Sequence, residues 1–86
     1  MSRSKVDSPK RLAEKLKQVR HNLGFTQEQL FLALEEELEG GAKLHIGYLT
    51  RFESGSRVPS LLVVLAYARV GNINAEVLID DKLDLP

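Results

Sequence analysis

The stretch YLTRFESGSRVPS, Tyr48 to Ser60, decides the fold, because a helical pattern gives way in it to a turn and then to the cap of another helix. Leu49 and Phe52 are spaced like residues on the apolar side of a helix. Gly55 tolerates a positive φ, and Pro59 disfavours helical geometry for the residue before it. The stretch therefore predicts a short helix, an ordered turn and the start of the next helix.

Working outward from this stretch, apolar residues at helical spacing and capping residues between them predict five helices and no strand. The sequence TQEQ at Thr26 fits a capping box for the second helix, and the pair Gly40-Gly41 must end that helix. The predicted helices cover residues 9–22, 26 to about 37–39, 45–54, 61–70 and 75–79. The predicted caps are Ser8, Thr26, Ser60 and Asn74 at the starts and Gly24 at the end of the first helix, and Gly71 is expected to end the fourth helix. The fold class is thus all-α, a compact five-helix bundle.

The chain has 86 residues, which suits one small domain. It has no cysteine, so neither a disulfide nor a thiolate metal site supports the core, and a partner subunit is the remaining way to extend it. No apolar run approaches the ~18 residues of a membrane span, and the start, MSRSKVDSPK, lacks the apolar segment of a secretory signal. We expect a cytoplasmic protein with a flexible basic arm at 1–8, a helical domain at 9–79 and an acidic tail at 80–86.

The net charge of zero is a sum of unlike blocks. Residues 1–22 hold seven Lys or Arg against two acidic residues, whereas residues 23–41 hold five Glu and no Lys or Arg. Such blocks either form two faces of opposite charge or are simply solvated helix faces. Charge alone does not choose between a nucleic-acid ligand and a protein ligand.

Nothing in the sequence favours catalysis, a metal or a cofactor. His21 and His45 lie on different predicted elements, and the carboxylates cluster in solvated runs. The glycines form no phosphate-cradling motif. We therefore expect a protein that is not an enzyme.

Two segments, LKQVRHNLGFTQEQL and YLTRFESGSRVPSLLVVLAYA, together resemble the helix-turn-helix domain of the phage Cro and repressor type, the Xre family. The resemblance covers roughly residues 12 to 79 and implies a fold like that of lambda repressor. The residues that carry it are Arg20, Leu23-Gly24, Thr26-Gln27-Glu28, Glu53, Gly55 and Pro59. The chain departs from the family in having an enlarged connection between helices 2 and 3, which includes EEELEGGAK.

Glu53 follows core positions at the end of helix 3, so it should be partly buried and need a partner. Arg20 in helix 1 is the natural candidate, and it matches the arginine that the family has there. We expect this ion pair to support the architecture and not to contact a ligand.

Turning ~100° per residue from Leu49 places Gly47, Thr50, Arg51 and Ser54 on the outer face of helix 3. The resemblance implies that this face enters the major groove of DNA, where Arg51 suits the two acceptors of a guanine edge. Ile46 fits the core equally well. The expected base-reading residues are His45, Ile46, Gly47, Tyr48, Thr50 and Arg51. The expected contacts to the DNA backbone are Thr26, Gln27, Ser54, Ser56, Arg57, Lys10 and Arg11.

The resemblance implies a transcriptional regulator, expected to be a repressor that binds a pseudopalindromic operator on double-stranded DNA as a homodimer. The alternative is a protein-protein interaction module or antitoxin-like protein that binds a partner through the acidic insert and tail. Apolar residues near the C-terminus fit either a dimer surface or the monomer core. They are Val77, Leu78, Ile79, Leu83 and Leu85.

Overall fold

The structure is a computed structural model that describes residues 9–86. Within this range the chain is all-helical and has no strand, which confirms the predicted all-α bundle. The helices are α1 (Leu12–Leu23), α2 (Gln27–Leu38), α3 (Ile46–Ser54), α4 (Leu61–Gly71) and α5 (Ala75–Ile79). The predicted arm, residues 1–8, and its cap Ser8 lie outside the described residues. None of the helices in 9–86 combines the length and the apolar character needed to cross a membrane.

The caps explain why the helices begin where they do. The hydroxyl of Thr26 accepts a hydrogen bond from the Gln29 backbone N–H at 3.1 Å, and the Gln29 side chain accepts one from the Thr26 N–H at 2.8 Å. This is the predicted capping box, and it satisfies two amides that have no partner inside the helix. Ser60 caps α4 by accepting from the Val63 N–H at 3.4 Å. Asn74 stands before α5, but its side chain makes no cap bond.

One predicted helix end is wrong and one is confirmed. α1 begins at Leu12 and not at Pro9, because the residues between them form a separate turn in which the Leu12 N–H donates to the Pro9 carbonyl at 3.5 Å. α4 ends at Gly71 as predicted, and Asn72 beyond it adopts the left-handed conformation (φ 57°) of a cap. A Cβ on Gly71 would lie 2.9 Å from Val19 Cγ1. The glycine therefore permits the close approach of α4 to α1.

The core lies around α4, which packs against α1, α2 and α5, while α3 packs against α1 and α2. The largest side chains that are completely buried are Leu16, Leu30, Leu34, Leu49, Tyr67 and Leu78. Leu78 thus belongs to the monomer core. Of the other apolar residues near the C-terminus, Ile79 and Leu83 are exposed, and Val77 and Leu85 are half-buried.

Residues 80–86, set apart in the sequence as an acidic tail, lie against the start of α1. The Asp81 carboxylate accepts from the backbone N–H groups of Lys10 and Arg11 at 2.9 and 3.1 Å. Arg11 itself, at the N-cap position, makes no side-chain cap bond. The tail therefore satisfies two amides at the start of a helix 70 residues away in sequence.

Lys15 of α1 bonds the tail to the helical domain. Lys15 is only 3% exposed, and its ammonium donates to the carbonyl oxygens of Val77, Asp80 and Leu83 at 2.7, 2.9 and 2.7 Å. A buried ammonium needs such partners, because without them its desolvation would be uncompensated. The three bonds join α1 to the end of α5 and to the tail.

The enlarged connection between α2 and α3 spans residues 39–45. It begins with Glu39 in the left-handed conformation (φ 51°), and the buried Leu44 anchors it to the core. Glu37, in the last turn of α2, lies 3.7 Å from Arg69 of α4. The acidic end of α2 is thus next to the end of α4.

Candidate nucleic-acid interface

α3 presents a polar face to solvent because its apolar residues are used for packing. Leu49 and Phe52 are buried, whereas Gly47, Thr50 and Arg51 are exposed. Ser54, one turn further on, is exposed as well. The structure therefore places the outer face of α3 where the helical period of the sequence puts it.

An ion pair beneath this face joins α1 to α3. Arg20 Nε donates to Glu53 Oε2 at 2.8 Å, and Arg20 Nη2 donates to Glu53 Oε1 at 3.0 Å. The Arg20 and Glu53 side chains are 15% and 5% exposed, so this bidentate ion pair is largely shielded from water. The hydrogen bonds that Arg20 donates to Glu53 raise the pKa of the guanidinium above its usual value. Arg20 also donates to the carbonyl of Phe25 at 3.0 Å, in the turn before α2.

Gln27 connects the Arg20–Glu53 pair to the exposed face of α3. Its amide nitrogen lies 3.4 Å from Glu53 Oε1, and its amide oxygen accepts from the Thr50 hydroxyl at 3.1 Å. The first residue of α2 is thereby bonded to the outer face of α3. Because the Arg20–Glu53 pair is largely shielded from water, it holds the two helices in a fixed relative position where they reach solvent together.

The turn after α3 is also ordered by hydrogen bonds. Gly55 has φ 85° and donates its N–H to the Phe52 carbonyl at 3.3 Å, and the Arg57 N–H donates to the Arg51 carbonyl at 3.2 Å. The Ser54 hydroxyl donates to the same Arg51 carbonyl at 3.2 Å and lies 3.1 Å from the Ser56 hydroxyl. These bonds hold Ser54, Ser56 and Arg57 beside the end of α3.

Aromatic contacts connect this turn to the start of α3. The Arg57 guanidinium carbon lies 3.9 Å from the centre of the Tyr48 ring. That ring meets His45 edge to face, with centroids 5.0 Å apart and an interplanar angle of 88°, and it lies 6.1 Å from the Phe52 ring. Tyr48 is therefore half-buried among its neighbours, while His45 remains exposed.

The structure shows whether Ile46 is exposed, which the sequence left open, and whether Arg11 is already bonded within the chain. Ile46 is 46% exposed, so it lies at the surface and not in the core. Arg11, expected to contact phosphate, is bonded within the chain: it donates to Asp84 Oδ1 at 2.6 Å and to the Asp81 carbonyl at 2.8 Å. The Arg11 hydrogen bond lowers the pKa of Asp84. Lys10 stays exposed next to it.

Arg51 differs from Arg11 in its bonding. Across residues 9–86, no side chain or carbonyl accepts a hydrogen bond from the Arg51 guanidinium. It is an exposed cation in the last turn of α3, beside the hydroxyls of Thr50 and Ser54. This arrangement offers an anionic or hydrogen-bonding ligand the guanidinium of Arg51, several hydroxyls and the capped start of α2.

The sequence did not reveal the bridging role of Gln27 or the stacking of Arg57 on Tyr48. Both depend on how α3 is oriented, which no local pattern records. The part of the chain that is described contains no cluster of three His, Cys, Asp or Glu side chains that could hold a metal ion.

Comparison of the chain with protein-family models, with curated proteins and with solved structures found no match.

Proposed function

We propose that this protein is a sequence-specific DNA-binding transcriptional regulator of the Xre helix-turn-helix type, with a fold like that of lambda repressor. In this proposal α3 lies in the major groove, and the start of α2 and the turn after α3 contact the flanking phosphates. Repression follows if the bound protein occludes a promoter.

The observation that carries the proposal is that the largely shielded Arg20–Glu53 pair, through Gln27, ties the start of α2 to the exposed face of α3. A DNA reader needs two elements held at a fixed spacing, one for the backbone and one for the bases, since phosphate contacts set the register in which base contacts are made. The network supplies that fixed spacing.

The size and chemistry of α3 support the same use. An α-helix with its side chains is about 10–12 Å in diameter, and the major groove of B-DNA, about 12 Å wide, admits it. Arg51 can bond the two acceptors on the edge of a guanine, and Thr50 can contact a thymine methyl or a phosphate. His45 and Ile46, both exposed at the start of α3, lie where they can contact neighbouring bases.

Charge supports this orientation. The glutamates of EEELE lie in the last turns of α2 and just beyond it, about 12 Å or more along the helix from Gln27. Glu37 among them is next to Arg69 of α4. The acidic block therefore points away from the end of α2 that approaches DNA in this proposal, so it does not place carboxylates against phosphate.

We propose that the protein binds as a homodimer. An apolar groove of about 400 Å³ lies between the start of α4 and the end of α5, with Val58, Leu61 and Ile79 exposed on it. Leu61 is 77% exposed and lies on one groove with the exposed Val58 and Ile79, and exposed apolar residues grouped in this way are typical of an interaction surface. A second copy covering this groove would give the two-fold pairing that a pseudopalindromic operator requires.

The experiment that tests the function is selection from a random duplex pool at about physiological salt, followed by sequencing. We expect an enriched inverted repeat. Arg51→Ala should then lose discrimination at one base position, by roughly 1–3 kcal/mol, whereas Arg57→Ala should weaken all duplexes alike. Arg69→Ala is the matched control. It removes an arginine in the last turn of α4, away from the turn that holds Arg57, and should bind as the parent does. No enrichment by the folded protein would overturn the proposal.

The alternative is an interaction module that binds a basic protein partner. Its support is the cluster of exposed glutamates at the end of α2: Glu35, Glu36, Glu37 and Glu39. The tail supports it less, since Asp81 and Asp84 are already bonded to the start of α1. If selection failed, affinity capture with Glu35→Lys/Glu36→Lys as the control variant would test this module.

A further inference from the structure

We propose that Tyr48 is a positioning residue for Arg57, and that together they form a preset phosphate clamp at the end of α3. This inference deepens the proposed function and rests on it. It gives Tyr48 a different role from the base reading expected from its place in α3.

The first step of the argument is the geometry of the stack. The Arg57 guanidinium carbon lies 3.9 Å from the centre of the Tyr48 ring, well within the range of a cation–π contact. A guanidinium that stacks uses the face of its plane, whereas its N–H donors point outward within the plane. The stack therefore fixes the group and leaves its donors available to a phosphate.

The second step is that the ring beneath Arg57 is itself held. Tyr48 is half-buried between the buried Phe52 ring, 6.1 Å away, and the His45 ring, which meets it edge to face at 5.0 Å. Turning the ring would break both contacts. Tyr48 is thus a fixed platform for the guanidinium.

The third step is that the other end of Arg57 is fixed as well. Its backbone N–H donates to the Arg51 carbonyl at 3.2 Å, and that carbonyl also accepts from the Ser54 hydroxyl at 3.2 Å. An arginine side chain normally loses much conformational freedom when it binds a ligand. Since Arg57 is held at both ends, most of that loss has occurred before the phosphate arrives.

The chemistry of the ligand follows from what surrounds the clamp. The Ser54 hydroxyl donates to the Arg51 carbonyl, so the exposed Ser56 hydroxyl, 3.1 Å from it, is the one that can turn its proton to a ligand. The planar donors of Arg57 and this hydroxyl together suit a phosphodiester oxygen pair. A phosphate is present at every step of a duplex, so the clamp should act on all sequences alike.

The test compares Tyr48→Phe, Tyr48→Leu, Arg57→Ala and the double variant Tyr48→Leu/Arg57→Ala, each first shown to be folded by circular dichroism. Affinity is measured for a selected duplex and for an unrelated duplex over a range of salt concentrations. Arg57→Ala should weaken both duplexes by the same factor and reduce the salt slope by about 1. Tyr48→Phe keeps the ring and should bind like the parent.

Tyr48→Leu removes the platform and should weaken both duplexes by about two- to fivefold, the change that corresponds to ~0.5–1 kcal/mol for an exposed cation–π contact. In the Arg57→Ala background the same substitution should have no further effect. If Tyr48→Leu does not fold, Arg57→Lys replaces it: this variant keeps the charge but stacks less well, and it should still lose affinity for both duplexes.

Two results would overturn the inference. One is additive losses in the double variant; the other is a loss in Tyr48→Leu that falls on one base position only, which would make Tyr48 a base reader. The proposed function fails separately. If selection enriches no sequence but binding of any duplex at low salt still depends on Arg57 and Tyr48 as described, the clamp stands without the operator. If the parent binds no duplex even at low salt, both the clamp and the proposed function are wrong.

Discussion

Two regions of the molecule carry basic side chains that differ in their hydrogen bonding. One is the contact between the tail and α1, and the other is the outer face of α3. At the tail, Lys15 and Arg11 donate to carbonyls and to a carboxylate of the same chain. On α3, the Arg51 guanidinium has no such partner among residues 9–86. A cation that is satisfied within the fold contributes to stability, whereas one that is not remains available to a ligand.

This comparison explains why a net charge of zero says little about this protein. The basic residues near the N-terminus look like a nucleic-acid-binding block in the sequence, yet two of them, Arg11 and Lys15, hold the C-terminal tail. The cations left exposed beside α3 are few, but they lie on one surface together with hydroxyls. Bonding within the fold distinguishes the two groups.

The largest effect we expect is from Lys15→Met. Methionine fills a similar volume but cannot donate, so the carbonyls of Val77, Asp80 and Leu83 would lose the ammonium that bonds them. The free energy of unfolding should fall by at least about 3 kcal/mol, because hydrogen bonds to a charged group contribute roughly 1.5–3 kcal/mol each. Urea denaturation followed by circular dichroism measures this change.

Lys17→Met on the exposed side of the same helix is the control and should change stability little. At a temperature where Lys15→Met is still folded, its affinity for a selected duplex should match the parent's. A large loss of affinity in the folded variant would mean that the tail contact and the α3 face are not separate, which would break the comparison.

The next effect comes from Glu53→Ala, which acts on the other region. The substitution leaves the Arg20 guanidinium, 15% exposed, without its carboxylate and removes an acceptor of Gln27. We expect a loss of roughly 3 kcal/mol, at the lower end of the range for breaking a buried ion pair. Unlike Lys15→Met, this variant should also bind DNA less tightly while folded, because the Gln27–Thr50 link loses its support.

Thermal denaturation and a binding isotherm below the transition measure the two changes separately. Glu76→Ala, an exposed glutamate in α5, is the control and should alter neither. If Glu53→Ala lowered stability but left the affinity of the folded protein unchanged, the ion pair would support the architecture without positioning the proposed interface.

Much of the fold was predictable from the sequence, because its signals are local. The capping box at Thr26 involves residues three apart, and the apolar side of α3 follows from the helical period. The start of α1 was predicted wrongly because Pro9 is compatible with a first helical turn but does not require one. The end of α4 at Gly71 was predictable, but its packing role was not, because the Val19 side chain that it faces is far away in sequence.

The candidate site was likewise predictable only where its features depend on local sequence. The exposure of Thr50 and Arg51 follows from the position of Leu49 in the core, whereas Ile46 lies at the helix start, where the period is weakest as a guide. The stack of Arg57 on Tyr48 depends on the turn between them. The engagement of Arg11 by Asp84 joins opposite ends of the chain, and nothing in either segment alone indicates it.

A third effect depends on pH and is confined to the tail. The backbone N–H groups of Lys10 and Arg11 lower the pKa of Asp81, so its stabilising contribution is fully present above the unfolded value, ~3.9, and is lost as the pH falls below it. Thermal denaturation from about pH 7 to about pH 3 should show Asp81→Asn less stable than the parent at neutral pH and the difference closing in acid.

Glu76→Gln serves as the control for this series and should follow the parent curve. A constant difference between Asp81→Asn and the parent at every pH would mean that the carboxylate does not cap α1 as a charge. DNA contacts by Arg57 and Arg51 should not change with this substitution, because neither guanidinium is bonded to the tail.

The smallest effect, from Gly47→Ala, sharpens the comparison most. Gly47 lies in the first turn of α3 without a positive φ, and among residues 9–86 no atom outside its own stretch of helix backbone lies within 4 Å of the position that a Cβ would occupy. Nothing inside residues 9–86 therefore requires a glycine, and alanine should stabilise the protein by up to ~1 kcal/mol. If α3 enters the groove closely, the added methyl should nevertheless weaken binding to a selected duplex. A variant that is more stable but binds less tightly can have lost affinity only at the interface, because unfolding acts in the opposite direction. Equal or tighter binding would show that the backbone of α3 does not approach DNA at Gly47.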